Sequence, residues 1–289
     1  MNASATIDPP VVDAEQRLAA VSNEFDYKNR CRHSRGKLWH ESYDAAIAPY
    51  ASFSTHKLER IRVLARPGRR LLDIGCGLGD VIHLLRSSYE AFDGLDPSPD
   101  MVDAATRNLR DRGVENVRIS QGLAESLPYE DGTFDTIVTT DTYEHIDPAF
   151  RASALSEMRR VLVPGGQMIL VTPSRRHIRA FALLDNLLTI PAQRRAGKVT
   201  VFGLPAKAYT EVFCTRRELI GEIRRAGFEV TRFERTSFYP APERPGALGA
   251  ACRWMYARAP RGVEVCTGVQ RAVQRLRILN QKMLVEARA

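Results

Sequence analysis

The sequence predicts an α/β fold in which helices flank a mostly parallel sheet, and two observations carry that prediction. The first is LLDIGCGLGD at residues 71–80, a short apolar run followed by a turn with three glycines and a helix start. The second is GLDPSPDM at residues 94–101, where another short strand ends on Asp96, 21 residues after Gly75. Strand, tight turn, helix and strand within this length make a parallel βαβ unit.

Each part has a physical reason. Leu71, Leu72 and Ile74 suit a strand buried on both faces. Gly75, Gly77 and Gly79, with Cys76 and Leu78 between them, strip side chains from the turn so that backbone can touch a ligand. At position 76 a small side chain is the requirement, more than thiol reactivity. Asp80 then starts a helix whose Val81, Ile82, Leu84 and Leu85 suit packing on the sheet while its free N–H groups face the turn. Asp96 offers a carboxylate that accepts from both hydroxyls of a ribose. The unit reads as a nucleoside cradle. It is not the dinucleotide fingerprint, which needs glycine where Asp80 stands, and it lacks the Lys-Ser/Thr pair of a phosphate-binding loop. Asp73, completing D-x-G-x-G-x-G, suits a cofactor carrying an amino group better than a pyrophosphate.

These motifs resemble those of class I S-adenosylmethionine (SAM) methyltransferases, in the small-molecule branch that includes the ubiquinone/menaquinone-biosynthesis enzymes. The resemblance covers about residues 60–289 with two gaps. It continues through GLAESLPYEDGTFDTIVTTDTYEHI (122–146), whose fourth strand spans 136–140, and RVLVPGGQMILVTP (160–173), read as helix end, Pro-Gly-Gly turn and fifth strand. RRELIGEIRRAGFEVTRFERTSF (216–238) is similar to the last helix and sixth strand, with Gly227 as C-cap, and KMLVEA (282–287) to the seventh strand. The resemblance implies a Rossmann-like seven-stranded sheet with inserted helical lid segments. It also implies SAM as cofactor, contacted by Asp73, Gly75, Cys76, Gly77, Gly79, Asp96, Pro97, Met101, Ala124, Glu125 and Thr140. Leu123 departs from the pattern, since many relatives carry an acidic residue there. The adenine amino group is therefore expected to meet backbone or Glu125.

Composition fits one large domain. The chain has 289 residues, 44% hydrophobic and 26% charged, an ordinary balance for a protein with a full core. Five cysteines without zinc-ligand spacing, and no secretory signal, point to reduced thiols in cytoplasm. No run approaches the 18 or more apolar residues of a membrane span. The expected organisation is a disordered stretch at 1–14, helices covering the cofactor site at 15–64, and the methyltransferase domain at 65–289. Within 15–64, Trp39, His40, Tyr43 and Tyr50 are placed to close over the methyl donor.

Two insertions, 174–212 and 239–280, are candidate lids, because ligands bind beyond the carboxyl ends of parallel strands. The first contains IRAFALLDNLLTIPAQRR (178–195), readable either as an amphipathic helix over a lipophilic substrate or as a core helix. The second contains Trp254, Met255 and Tyr256 among arginines. From Arg175 onward 22 Lys and Arg face 9 Asp and Glu, net +13, whereas the first 174 residues carry net −5. The basic half suits phosphate, an anionic lipid surface at the membrane periphery or an acidic substrate, and equally a solvated Arg-rich surface.

After strand four, Asp141, Glu144 and His145 spell D-x-x-E-H, which on a helix shares one face. The sequence resembles that of ubiquinone-biosynthesis O-methyltransferases, where it is associated with metal. Three roles stay open: ligands for a divalent cation such as Mg, a metal-free general base at His145, or a structural element. The resulting expectation is methyl transfer to a small-molecule or lipid-like acceptor, foremost at a hydroxyl oxygen. The alternatives are C- or N-methylation, nucleic-acid methylation, or SAM binding without transfer. TTDTYE lacks the Asn/Asp-Pro-Pro-aromatic sequence of exocyclic-amine methylation, which argues against nucleic acid.

Overall fold

Leu71 and Leu72 are both fully buried but on opposite sides of a sheet, because successive strand residues point to opposite faces. That split organises the computed structural model, which describes residues 13, 15–22, 51–175, 212–236 and 282–289. Leu72 joins Ile74, Phe134, Ile137, Tyr143, Leu155 and Met158 in one core. Leu71 joins Ile61, Val81, Ile82, Phe92, Leu109 and Val138 in the other. A sheet covered on both faces explains why its central strands are near-continuous apolar runs.

The strands are β1 Gly68–Ile74, β2 Tyr89–Asp96, β3 Val117–Gln121, β4 Phe134–Thr140, β5 Leu162–Pro173, β6 Glu229–Thr236 and β7 Lys282–Arg288. Their order is β3-β2-β1-β4-β5-β7-β6. β1 to β5 pair in parallel, and β7 lies antiparallel between β5 and β6. The described helices are α1 (15–22), α2 Ala51–Leu64, α3 Asp80–Leu85, α4 Pro99–Asp111, α5 Arg151–Val161 and α6 Arg216–Arg225.

Local chemistry sets the helix ends. Ser98 caps α4, with Pro99 opening the helix, and Thr215 with Glu218 forms a capping box at α6. Gly227 takes φ +87°, the left-handed conformation that stops a helix. The expected Pro-Gly-Gly turn is part of β5 itself, where Gly165 at φ +75° bends an exposed stretch of strand. The sequence implies a third strand, since 136–140 is read as the fourth, but does not locate it; the structure places it at Val117–Gln121. Most of both insertions lies outside the described residues, as do Trp39, His40, Tyr43, Tyr50 and nearly all of 1–14, so the lid expectations find no counterpart among the described residues. The visible ends of the first insertion are joined: Ser174 bridges Cys214, and Arg175 N donates to Cys214 O at 3.0 Å.

Candidate active site

A cavity of about 320 Å3 opens at the carboxyl ends of β1, β2 and β4, where parallel sheets bind ligands. Its floor is the glycine turn. Gly75 and Cys76 donate their backbone N–H groups to Leu95 O at 2.7 and 3.1 Å, fixing the turn against β2. Gly77 has φ +52° and open space where a β-carbon would stand. A left-handed glycine facing a void gives a ligand direct access to backbone. Cys76 is buried against Gly94, and burial pushes its thiol up, consistent with a packing role. Gly79 is not on the wall; a β-carbon there would meet Leu109 Cδ1 at 2.8 Å, so this glycine serves helix packing.

Two carboxylates flank the turn. Asp96 accepts from Gly77 N and Ser98 N, both at 3.0 Å, one on each oxygen. The sequence reading gave Asp96 to the ribose alone, but the residue also ties the glycine turn to the start of α4. Asp73 is 2% exposed, and its Oδ2 has no hydrogen-bond partner among the described residues. Burial, then the charges of Asp96 and Asp80, push its carboxyl up to about 8 against a smaller pull from Lys57. An orphaned buried carboxyl costs stability unless a cationic or donor group arrives. The donor set therefore fits a nucleoside cofactor carrying an ammonium group.

Pro97, Met101, Ala124, Glu125, Thr140, Asp141 and His145 also line the cavity. Glu125 is engaged by Arg17, whose Nε lies 3.2 Å from Oε1 and whose guanidinium stacks 4.1 Å over Phe150. Arg17 and Val21 of α1, and Lys57 and Leu58 of α2, complete the wall. None of these four was singled out from sequence, although all fall within the 15–64 segment assigned to covering the site.

The loop after β4 differs from the metal expectation. Tyr143–His145 is a single 3-10 turn, and Asp141 precedes it at φ +56°, so the three residues do not share a helical face. Asp141 Oδ2 accepts from Lys57 Nζ at 2.6 Å and from Lys282 Nζ. Burial opposes the Asp141 charge, but Lys282 and Lys57 outweigh it and hold the carboxyl below the usual carboxylate range. Glu144 is 3% exposed, faces away from the cavity and accepts from Thr172 Oγ1 at 3.0 Å. Burial and the neighbouring Asp141 charge push Glu144 up. Two lysine amines on Asp141 and a Glu144 buried against Thr172 do not make a divalent-cation site. No group of three His, Cys, Asp or Glu suited to a metal occurs among the described residues. The magnesium expectation is corrected accordingly. His145 remains on the cavity wall, its loop held by Arg151, which donates to Ile146 O at 3.0 Å and to Val212 O.

Comparison with known proteins agrees with this geometry. A family described as "Methyltransferase domain" matches residues 71–166, from β1 into β5. The chain is 37% identical over 106 residues to the uncharacterized methyltransferase YcgJ of Bacillus subtilis, covering 37% of this chain and 41% of YcgJ. It is 29% identical over 197 residues to the demethylmenaquinone methyltransferase of Lactococcus lactis, covering 64% and 77%. Residues 71–166 are thus similar to the methyltransferase domain of these relatives. Against the ubiquinone/menaquinone biosynthesis C-methyltransferase UbiE of Idiomarina loihiensis it is 31% identical over 169 residues, covering 53% and 66%. The solved structure of YcgJ superposes with a TM-score of 0.51 at 19% identity over 80% of this chain and 97% of that one, a likeness of fold. The chain spans between about a third and a half of the length of the first curated relatives it matches.

Proposed function

We propose that the protein transfers the methyl group of SAM to a small-molecule or lipid-like acceptor. The observation that carries this reading is the open left-handed Gly77 between Asp96 and the orphaned Asp73 carboxyl, all on one cavity wall. Bound SAM supplies a methyl group already activated on a sulfonium. The chain's residues then bind, orient and exclude water. Asp96 and the Gly77 backbone would hold the nucleoside, Asp73 the ammonium, and Leu123 with Ala124 the adenine, near Glu125. Pro97, Met101 and Thr140 would complete the contacts, and His145 would take a proton from a hydroxyl acceptor.

Transfer to a hydroxyl oxygen is the first reading of the accepting atom. A second, transfer to carbon, is favoured by the relative named a C-methyltransferase. We place the protein in cytoplasm with peripheral contact to a membrane. No helix among the described residues is long and apolar enough to cross one. Calorimetry with SAM tests the cofactor, and release of S-adenosylhomocysteine against a panel of hydroxylated aromatics and lipids tests transfer. Absence of SAM binding by the folded protein would end the proposal. Binding without turnover on any panel member would instead favour a SAM-binding protein.

A further inference from the structure

Two buried carboxylate oxygens among the described residues have no hydrogen-bond partner, and both belong to residues of the cavity wall. One is Asp73 Oδ2, given above to the cofactor's ammonium. The other, Asp141 Oδ1, is not used by that reading. Asp141 stands where β4 ends, its backbone N–H donating to Val171 O at 2.8 Å. Asp73 is level with Val138 in the β1–β4 ladder, so Asp141 lies three positions further toward the carboxyl ends, about 10 Å by strand rise. The two orphaned acceptors sit at different depths of the cavity and call for two donors.

The surroundings of Asp141 decide which kind of donor fits. Oδ2 accepts from Lys57 Nζ at 2.6 Å and from Lys282 Nζ, so the carboxylate is pinned by α2 on one side and by β7 on the other. Its negative charge is already set against two lysine amines, and a further cation at Oδ1 would face them at short range. A neutral O–H or N–H donor meets no such repulsion, and its hydrogen bond goes to a charged acceptor, the stronger kind. The Asp141 side chain is 29% exposed and lines the cavity, so a molecule seated there approaches it directly. A buried carboxylate oxygen left without a donor costs free energy, which such a molecule would recover.

We propose that Asp141 is a specificity-determining residue for the methyl acceptor, its Oδ1 accepting a hydrogen bond from a neutral O–H or N–H group that the acceptor carries. The inference rests on the proposed function, because it names the substrate class of the same site. Lys57 and Lys282 act through Asp141, holding the carboxylate in place before the acceptor arrives, which lowers the ordering cost of binding. The donor need not be the atom that is methylated, so the role is the same for transfer to oxygen or to carbon. An acceptor of the same shape with its donor capped leaves Oδ1 unmet.

The test uses the full chain saturated with S-adenosylhomocysteine, whose own binding is measured first. Its failure to bind would sink the proposed function before any acceptor probe is added. Phenol and aniline are then titrated at neutral pH beside their capped counterparts anisole and N,N-dimethylaniline, followed by ligand-observed NMR. At least one donor should bind about tenfold more tightly than its counterpart, the scale of one hydrogen bond to a charged group. Which pair does so separates O–H from N–H. In Asp141→Asn the lysines stay on the carbonyl oxygen and the amide nitrogen takes the place of Oδ1, so a donor replaces the acceptor. That variant should lose the preference and bind acetophenone, which only accepts, more tightly than wild type does, with S-adenosylhomocysteine affinity unchanged. Wild-type protein with no preference for donors, absence of all probe binding included, overturns the proposal. So does a preference that survives Asp141→Asn, or one that vanishes without the shift toward acetophenone, the result of a purely structural role. If Asp141→Asn instead loses S-adenosylhomocysteine affinity but keeps that for 5′-methylthioadenosine, the donor at Oδ1 is the cofactor's ammonium and the proposal fails while the proposed function stands. Should Asp141→Asn not fold, Asp141→Gly, which suits the left-handed backbone at φ +56°, removes the acceptor and should abolish the preference.

Discussion

A β-carbon placed on Gly75 would collide with Thr142, coming within 2.6 Å of Cγ2 and overlapping Oγ1. The first turn residue and the loop after β4 are thus in direct contact, and Thr142 is further held by Ile74 O and Thr140 O at 3.3 and 3.2 Å. Gly75→Ala should destabilise the protein by about 2–4 kcal/mol, combining overpacking with a side chain in left-handed backbone at φ +71°. Adding Thr142→Ala should relieve part of the collision, since Oγ1 and Cγ2 are removed while the Thr142 β-carbon stays at 2.9 Å, and the backbone strain of about 1 kcal/mol remains as well. Denaturant midpoints of the two variants measure this. A double variant no more stable than Gly75→Ala alone would refute the contact.

The double duty of Asp96 predicts a split effect. Asp96→Ala should weaken SAM binding by about 1.5–3 kcal/mol, the scale of hydrogen bonds to a charged group, and should also loosen the turn by freeing Gly77 N and Ser98 N. Gly77→Val should reduce affinity by filling the open space at the cavity floor. Calorimetry on folded variants reads both. Unchanged affinity in Asp96→Ala would take that carboxylate out of the site.

Asp73 predicts linked protonation. Its carboxyl titrates near 8 in the folded chain, against 3.8 for the ordinary group. Between those values the folded state keeps a proton that the unfolded chain has released, so this group's contribution to stability falls as pH rises from about 4 to about 8. An ammonium-bearing ligand reverses the preference and favours the carboxylate. SAM binding at pH 7 should then release up to about one proton, visible as a dependence of the binding enthalpy on buffer. Asp73→Asn should flatten the stability slope and remove the buffer dependence. Equal proton release by wild type and Asp73→Asn would contradict the assignment.

The corrected metal reading also has a measurable outcome. Because Asp141 is taken by lysines and Glu144 is turned into the core, a chelator should leave turnover unchanged once an acceptor is found. Activity lost to chelation and restored by magnesium would reinstate the metal. His145→Ala should lower turnover by about 100-fold, the low end for a general base, with little change in SAM affinity. Normal turnover in that variant would leave His145 as a structural part of the loop.

The difference between what the residues announced and what they concealed is one of range. β1, β2 and β4 were legible because a sheet covered on both faces demands apolar runs, and LLDI, GLD and TIVT supply them next to glycine or acidic punctuation. β3 was not, since VRISQ is a half-buried outer strand of mixed polarity. The cofactor wall was legible because Asp73 to Met101 is one contiguous βαβ stretch. The metal set failed because spacing of three and four residues becomes a shared face only if the chain is helical there. Asp141 is left-handed instead, and its lysines come from 84 and 141 residues away. Arg17 and Lys57 were hidden for the same reason: no local pattern says which cavity a distant helix will meet.

The placement of β7 governs how the protein can be made. Among the described residues β6 pairs with β7 and not with β5, so the strand of residues 282–288 is the ladder joining it to the rest of the sheet. A nascent chain that has exposed everything up to residue 281 carries a five-stranded parallel sheet whose last member, β5, presents Met168, Ile169, Leu170 and Val171 on an open edge. An unpaired apolar edge is a template for pairing with other chains. Loss of the pairing made by residues 282–288 should accordingly yield aggregates instead of a soluble, weakened protein, and chaperone demand should peak while that strand is unpaired.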